Sequence, residues 1–531
     1  MSAVSAWQYH EHYVHKILSV LGREPARTVI TTPNAQVTAE AFAELIFAAA
    51  AVLRSNEVAP GSTVAILTEP NHHRMLTIRY AAHLLGATTV YIRSNNARSE
   101  DDMLPAADQA HMLAEVGAAL LVTDQANIGR GRELCQTLPC TAVVADPDRP
   151  DDPPGGTAGS PGVPFDARYE PDDRLVITYT SGTTGRPKGV CHSYRGWNTM
   201  AAGFEAVVRG SSPPTFLAVT PVSQTVGVMV DGTLAAGGSL VLHERFSSGA
   251  VLRDLAGLGI TDCYLAVPHL YELTAALQLA DRDLSKLRHV IYSGSPAAPH
   301  RMAEAARVFG RALLQSYGST EAGPVTYLGA WEHRDADLLT TVGRPYPGVR
   351  LRVCQRDPRR PLPAGRTGEI WVRSGNLMEE YLGDPALTAK VLREGWLRTG
   401  DLGRLDDAGY LTLTGRIGDV IKNGGLRVYP ATVERALLMH PDVSSAAVIG
   451  IRHRKDYEEA YAAVTLLPGA ATTLPELRQH LGGAVSRAHA PAVLAVWAEL
   501  PADESGKVDK RRLRALAEGG DCASHGLLAE E

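Results

Sequence analysis

A short apolar run, Leu175-Val-Ile-Thr178, leads without interruption into Tyr179-Thr-Ser-Gly-Thr-Thr-Gly-Arg-Pro-Lys-Gly-Val190. The run reads as a buried strand, so the loop begins where a sheet ends. Its three glycines let the backbone approach an anion closely and present N–H groups as a nest. Thr180, Ser181, Thr183 and Thr184 add hydroxyl donors, and Lys188 adds a positive charge. A flexible surface turn also uses Gly, Ser and Thr, but it does not call for a lysine and four hydroxyls in one short stretch after a strand. A Walker loop fails because Pro187 stands where that pattern needs glycine. The groups present suit a polyphosphate.

Around this loop the chain alternates strand-like and helix-like patterns. Val64-Ala-Ile-Leu67 and Ala119-Leu-Leu-Val122 are strand candidates, and Met75 to Leu85 carries apolar residues at helical spacing. Such repetition predicts a parallel sheet covered on both faces. Leu45 to Leu53 is the longest apolar run, about half of what a membrane span requires. It reads as a buried helix with Thr38 as N-cap and Glu40 in the first turn. Between Asp146 and Asp173 the composition turns to Pro, Gly and Asp, which predicts a loop. Val349 to Val372 and Tyr410 to Thr414 read as antiparallel strands. Beyond Gly415, a helix over 430–440 and strands at 446–449 and 462–466 make a small α+β unit, and the tail from Gly519 is expected to fray.

A chain of 531 residues is too long for one compact core, so at least two domains are expected. A net charge of -6 leaves no electrostatic footprint for nucleic acid or an anionic membrane. The N-terminus lacks a basic region followed by an apolar stretch, so a cytoplasmic protein is expected. The six cysteines are scattered, which suits idle thiols in a reducing compartment and neither a disulfide framework nor a zinc site.

The glycine-rich loop resembles the signature of the adenylate-forming superfamily: acyl-CoA synthetases, luciferases and the adenylation domains of peptide synthetases. Further segments resemble that family's motifs in the family's order, over nearly the whole chain. Ser293-Gly-Ser-Pro-Ala297 resembles the adenine-side loop, with Gly294, Ser295 and Pro296 against the base. Tyr317-Gly-Ser-Thr-Glu321 resembles the central motif. Alone it would read as a strand-to-helix turn with a capping hydroxyl. The resemblance implies that Tyr317 stacks on adenine beside Gly318, that Thr320 contacts the α-phosphate and that Glu321 holds Mg²⁺. A single carboxylate suits that ion, which is usually bound by few carboxylates plus phosphates. Trp396-Leu-Arg-Thr-Gly-Asp401 resembles the ribose segment, with Asp401 accepting from the diol. Gly415-Arg416 resembles the start of an interdomain hinge whose arginine contacts nucleotide.

Ile421 to Pro430, with Lys422, Gly425 and, beyond, Glu434, resembles the loop that enters the site for a second half-reaction. Ser505-Gly-Lys507 resembles the segment of the catalytic lysine. The implied fold is α/β: a large N-terminal domain of doubly covered β-sheets with a small β-barrel-like subdomain (1–414), a hinge (415–418) and a small mobile α+β C-terminal lid (419–531). Gly182 and Gly185 complete the phosphate loop with Thr180, Ser181, Thr183, Thr184 and Lys188. The implied activity is ATP-dependent formation of an acyl-AMP with release of pyrophosphate, then thioester formation with coenzyme A. A homodimer fits the same resemblance.

Two departures stand out. Many carboxylate–CoA ligases line the acid pocket with an apolar-aromatic-His segment. Here the aligned stretch is Pro221-Val-Ser-Gln-Thr-Val-Gly227, with Ser223 and Gln224 in those places. Glutamine can hydrogen-bond a substrate but cannot become cationic. Ser223, Gln224 and Gly227 are therefore expected to shape a pocket for a small or functionalised acid, aromatic ones included. At the hinge, Gly418 stands where relatives carry Asp or Lys. The alternatives are an enzyme that loads a carrier-protein thiol, one that adenylates an atypical substrate such as nitrite for an amine acceptor, and a nucleotide-binding pseudoenzyme. The pseudoenzyme ranks last, because Lys188, Glu321, Asp401, Lys422 and Lys507 are all present.

Overall fold

The computed structural model describes residues 12–93, 104–136, 138, 141–144, 170–180, 187–223, 226–278, 283–355, 357–423, 426–454, 457–467, 469–485, 489–502, 508–519 and 528–530. The expected loop at 146–173 lies mostly outside them. Two large sheets dominate. In one, strands Thr63–Leu67, Thr88–Tyr91, Leu120–Thr123 and Thr141–Val144 run parallel, and Thr88–Tyr91 also pairs with Arg174–Thr180. That strand turns back antiparallel into Lys188–Ser193, whose free edge takes the short strand Glu380–Tyr381. In the other sheet, Thr28–Thr31, Ser239–Leu242, Thr215–Ala218, Asp262–Ala266, His289–Ser293 and Leu313–Ser319 are parallel neighbours. Gly323–Leu328 continues that side antiparallel, with the short strand Arg344–Pro345 at its edge.

Helices His73–Leu84 and Val226–Ala235 show why the sheets need two covered faces. All residues of the second helix are buried, and in the first only Arg74 is not. A helix buried all round belongs inside the fold rather than on its surface. Helix Ala39–Ser55 starts as its sequence predicts, with the Thr38 hydroxyl accepting from the Ala41 N–H at 3.2 Å. Between the inner helices Arg79 pairs with Asp231, both fully buried. Asp231 also accepts from the Tyr80 hydroxyl at 2.6 Å and the Trp197 indole at 2.8 Å. These extra donors offset part of the cost of dehydrating the pair.

A smaller antiparallel sheet, Arg350–Cys354, Gly368–Arg373, Trp396–Leu405 and Leu411–Arg416, follows. The chain then tightens into a 3-10 turn at Ile417–Asp419 and enters an α+β unit. There helix Pro430–Leu438 packs on the hairpin Val443–Arg454/Tyr457–Leu466, to which Val493–Val496 adds parallel. One segment of the tail departs from expectation. Leu528–Glu530 pairs antiparallel with Val493–Val496 instead of fraying. An edge strand offers unpaired backbone groups, so it can hold a short segment whatever its side chains. Among the described residues no helix is long and apolar enough to cross a membrane.

His83, His192 and His333 are buried, and burial pushes each imidazole below its ordinary proton affinity. The unfolded chain then takes up protons that the folded chain refuses. Stability is accordingly full above pH of about 6.5 and falls as pH drops below it, by up to about 1.4 kcal/mol per pH unit for each histidine. Thermal melts should give a plateau above pH of about 7 and a declining midpoint toward pH of about 5. A midpoint that holds or rises on acidification would contradict neutral burial.

Candidate active site

The glycine-rich segment lies between two antiparallel strands, Arg174–Thr180 and Lys188–Ser193. Thr180 and Lys188 form the last register pair between these strands, and both line a cavity of about 1790 Å³ between the large sheets and the C-terminal unit. Ser181, Gly182, Thr183, Thr184 and Gly185 lie outside the described residues. Gly294, Ser295 and Pro296 reach the same cavity from the end of strand His289–Ser293. Tyr264, which donates to or accepts from the Ser293 hydroxyl at 2.9 Å, stands beside them.

Tyr317 to Glu321 turns from one strand into an antiparallel neighbour, not into a helix. The Ser319 hydroxyl caps the turn by accepting from the Ala322 N–H at 3.2 Å. Gly318 has no alternative here, because an added Cβ would lie 2.3 Å from the Gly323 carbonyl oxygen. Tyr317, Gly318, Thr320 and Glu321 all line the cavity. The Thr320 carbonyl accepts from His192 Nε2 at 2.9 Å, which makes Nε2 the protonated nitrogen. The Glu321 carbonyl accepts from the Met378 N–H at 2.8 Å, and its carboxylate accepts from the Tyr381 hydroxyl at 2.9 Å.

Asp401 and Arg416 face each other across neighbouring strands. Arg416 Nε donates to Asp401 Oδ1 at 2.7 Å, and the Tyr317 hydroxyl donates to Oδ2 at 2.6 Å. The Asp401 charge raises the Arg416 proton affinity, while burial, more than the Asp401 charge, keeps the Tyr317 phenol neutral far above neutral pH. A carboxylate has about four lone-pair sites, so Asp401 retains acceptor capacity for a further pair of hydroxyls.

From the C-terminal unit, Ala502 and Val508 join in an isolated bridge, and both line the cavity together with Lys510, Arg511 and Arg512. Lys507, between them in sequence, lies outside the described residues. Lys422 is exposed on strand Ile421–Asn423 and is not among the lining residues; Gly425 is not described. Glu434 is buried and lines the cavity. It accepts from the Val448 N–H and pairs with Lys510 at 2.6 Å, so it also braces its own unit.

Two of the three acid-pocket candidates can be placed. Ser223 is buried but does not line the cavity, and Gln224 is not described. Gly227 faces the protein interior: an added Cβ would lie 2.7 Å from the Val222 carbonyl oxygen and 2.8 Å from Arg79. It leaves room for the buried arginine. The neighbouring residues Val226, Val228 and Met229 line the cavity instead, with Phe204, Tyr264 and Tyr346. Sequence reasoning missed Tyr381 and His192, since neither sits in a segment whose local pattern signals chemistry.

Comparison with known proteins identifies the family. The family model described as AMP-binding enzyme matches residues 19–382, and that of the AMP-binding enzyme C-terminal domain matches residues 432–507. The chain is 32% identical over 507 residues to an indoleacetate–CoA ligase of Aromatoleum aromaticum, covering 93% of this chain and 96% of the relative. It is 32% identical over 513 residues to a feruloyl-CoA synthase of an Amycolatopsis species, covering 93% and 98%. Among solved structures, the amide bond synthetase McbA of Marinactinospora thermotolerans superposes with a TM-score of 0.84 at 32% identity, over 95% of this chain and 99% of that one. The chain therefore belongs to the family of AMP-binding enzymes, as an ATP-dependent, AMP-forming ligase of the acyl-CoA synthetase type.

Proposed function

We propose that the protein activates a small or functionalised carboxylic acid, an aromatic one in the first instance, as its acyl-AMP and passes the acyl group to the thiol of coenzyme A. One observation carries this reading. Lys188, Glu321 and Asp401, from three separate parts of the chain, line one cavity that Phe204, Tyr264 and Tyr346 also line. A carboxylate oxygen of the acid attacks the α-phosphorus of ATP and pyrophosphate leaves. The thiol then attacks the acyl carbon, and AMP leaves. Neither step needs covalent participation by the protein, so positioning and charge neutralisation are its main contributions.

Lys188 and the Thr180–Gly185 loop would follow the departing pyrophosphate, while Asp401 and Arg416 would hold the ribose side. Glu321 would hold Mg²⁺. The donor set suits that ion: among the described residues no group of three His, Cys, Asp or Glu could cage a metal, and Mg²⁺ usually takes few carboxylates beside phosphate and water. When bound, the ion neutralises phosphate charge.

Lys507 would bridge acid and phosphate in the first step, and Lys422 would serve the second. The flanks of Lys507 line the cavity while Lys422 stands outside it, which supports a C-terminal unit that turns about residues 415–418 between steps.

The aromatic preference draws on the indoleacetate and feruloyl relatives and on Phe204, Tyr264 and Tyr346 in the cavity wall. The likeness to an amide bond synthetase favours a second reading, in which an amine takes the acyl group. ATP–pyrophosphate exchange over aromatic and aliphatic acids separates the cases. Exchange with an arylalkyl or cinnamic-type acid, followed by thioester on adding coenzyme A, is the expected result. Exchange with amide from an added amine and no thioester would transfer the assignment. Exchange with no acid at all would overturn it.

A further inference from the structure

Two groups of opposite charge, Lys188 and Glu321, line the same cavity, yet no ion pair among the described residues joins them. Tyr381 interacts with both. Its strand, Glu380–Tyr381, lies along Lys188–Ser193 with Tyr381 opposite Val190, which leaves Lys188 as its diagonal neighbour. The Lys188 ammonium sits 5.6 Å from the centre of the Tyr381 ring, within cation–π range. At the other end of that ring the hydroxyl donates to Glu321 Oε1 at 2.9 Å. The backbone of the same segment holds the glutamate a second time, through the Met378 N–H on its carbonyl oxygen.

On the reading that Glu321 is the metal's carboxylate and Lys188 a phosphate contact, we infer that Tyr381 is a positioning residue that orients Glu321 toward the cation and keeps Lys188 from neutralising it. A direct Lys188–Glu321 pair would have to break each time nucleotide and metal entered. The tyrosine replaces that pair with two uncharged partners. The ring faces the ammonium without consuming a carboxylate, and the hydroxyl occupies one glutamate oxygen while leaving the other to the cation. A tyrosine that merely filled space, with 8% exposure, would leave nucleotide and metal binding indifferent to its hydroxyl.

Calorimetric titration of the full-length protein tests this, comparing ATP in chelator with ATP in excess Mg²⁺. Tyr381→Phe keeps the ring and removes the donor. Its affinity for metal-free ATP should stay within about twofold of wild type, while the Mg²⁺-dependent gain should shrink by about tenfold, in line with one hydrogen bond to a charged group. Tyr381→Leu should additionally weaken metal-free ATP, because Lys188 is then free to pair with Glu321. Melting temperatures establish that each variant is folded, and Glu321→Gln supplies the reference. If Glu321→Gln loses the Mg²⁺ gain and Tyr381→Phe keeps it whole, the role given to Tyr381 is wrong while the metal assignment survives. If Glu321→Gln keeps the gain, the metal assignment itself fails, and the inference falls with it.

Discussion

Replacing Lys507 by alanine is expected to slow acid-dependent ATP–pyrophosphate exchange by about 100- to 1000-fold, the usual cost of removing one preorganised donor from a developing charge. Thioester formation from a supplied acyl-adenylate should stay within a few-fold of wild type. The asymmetry follows from the proposed role, since Lys507 is needed only while the acid's carboxylate and the phosphate repel each other. Lys422→Ala should show the opposite pattern: near-normal exchange and slow transfer to the thiol. Lys422 lies outside the cavity that the flanks of Lys507 line, which supports assigning the two lysines to different half-reactions. Single-turnover assays of each half-reaction decide the matter. Equal loss of both half-reactions in both variants would remove the alternating-domain explanation.

The second large effect is expected at Asp401. Asp401→Asn keeps the shape of the side chain but removes the charge that Arg416 and the Tyr317 hydroxyl now share. If the carboxylate also accepts both ribose hydroxyls, losing two charge-assisted hydrogen bonds raises the KM for ATP by about 100-fold. The KM for the acid should hardly move, because Asp401 is assigned to the ribose and not to the acid. Steady-state exchange kinetics with each substrate varied in turn will show it. A parallel rise in both constants would point to a collapsed site rather than a lost ribose contact, and an unchanged ATP constant would remove Asp401 from the nucleotide's partners.

Much of the fold is legible locally. Thr38 announces a helix because its hydroxyl meets an N–H three residues on. Leu175–Thr178 followed by a glycine-rich stretch announces a strand and a loop, and Lys188 lands opposite Thr180 because the strands on either side share one register.

What the chain could not reveal by pattern are the partnerships between distant segments. Tyr381 meets Glu321 sixty residues away in sequence, and His192 meets the Thr320 carbonyl at a separation of 128. Neither contact has a period or a spacing, since each depends on which strands become neighbours. The acid pocket shows the same limit. The family resemblance points to Ser223, Gln224 and Gly227, and only the packing of helix Val226–Ala235 against Arg79 shows that Gly227 faces the interior while Val226, Val228 and Met229 line the cavity. Motif order and local turns, being short-range, made the family legible from the sequence alone and supplied the candidate residues for the phosphate loop and the nucleotide. The tertiary structure decided which side chains line the pocket and what stands between Lys188 and Glu321, because sheet register and helix packing are settled only when the whole core closes.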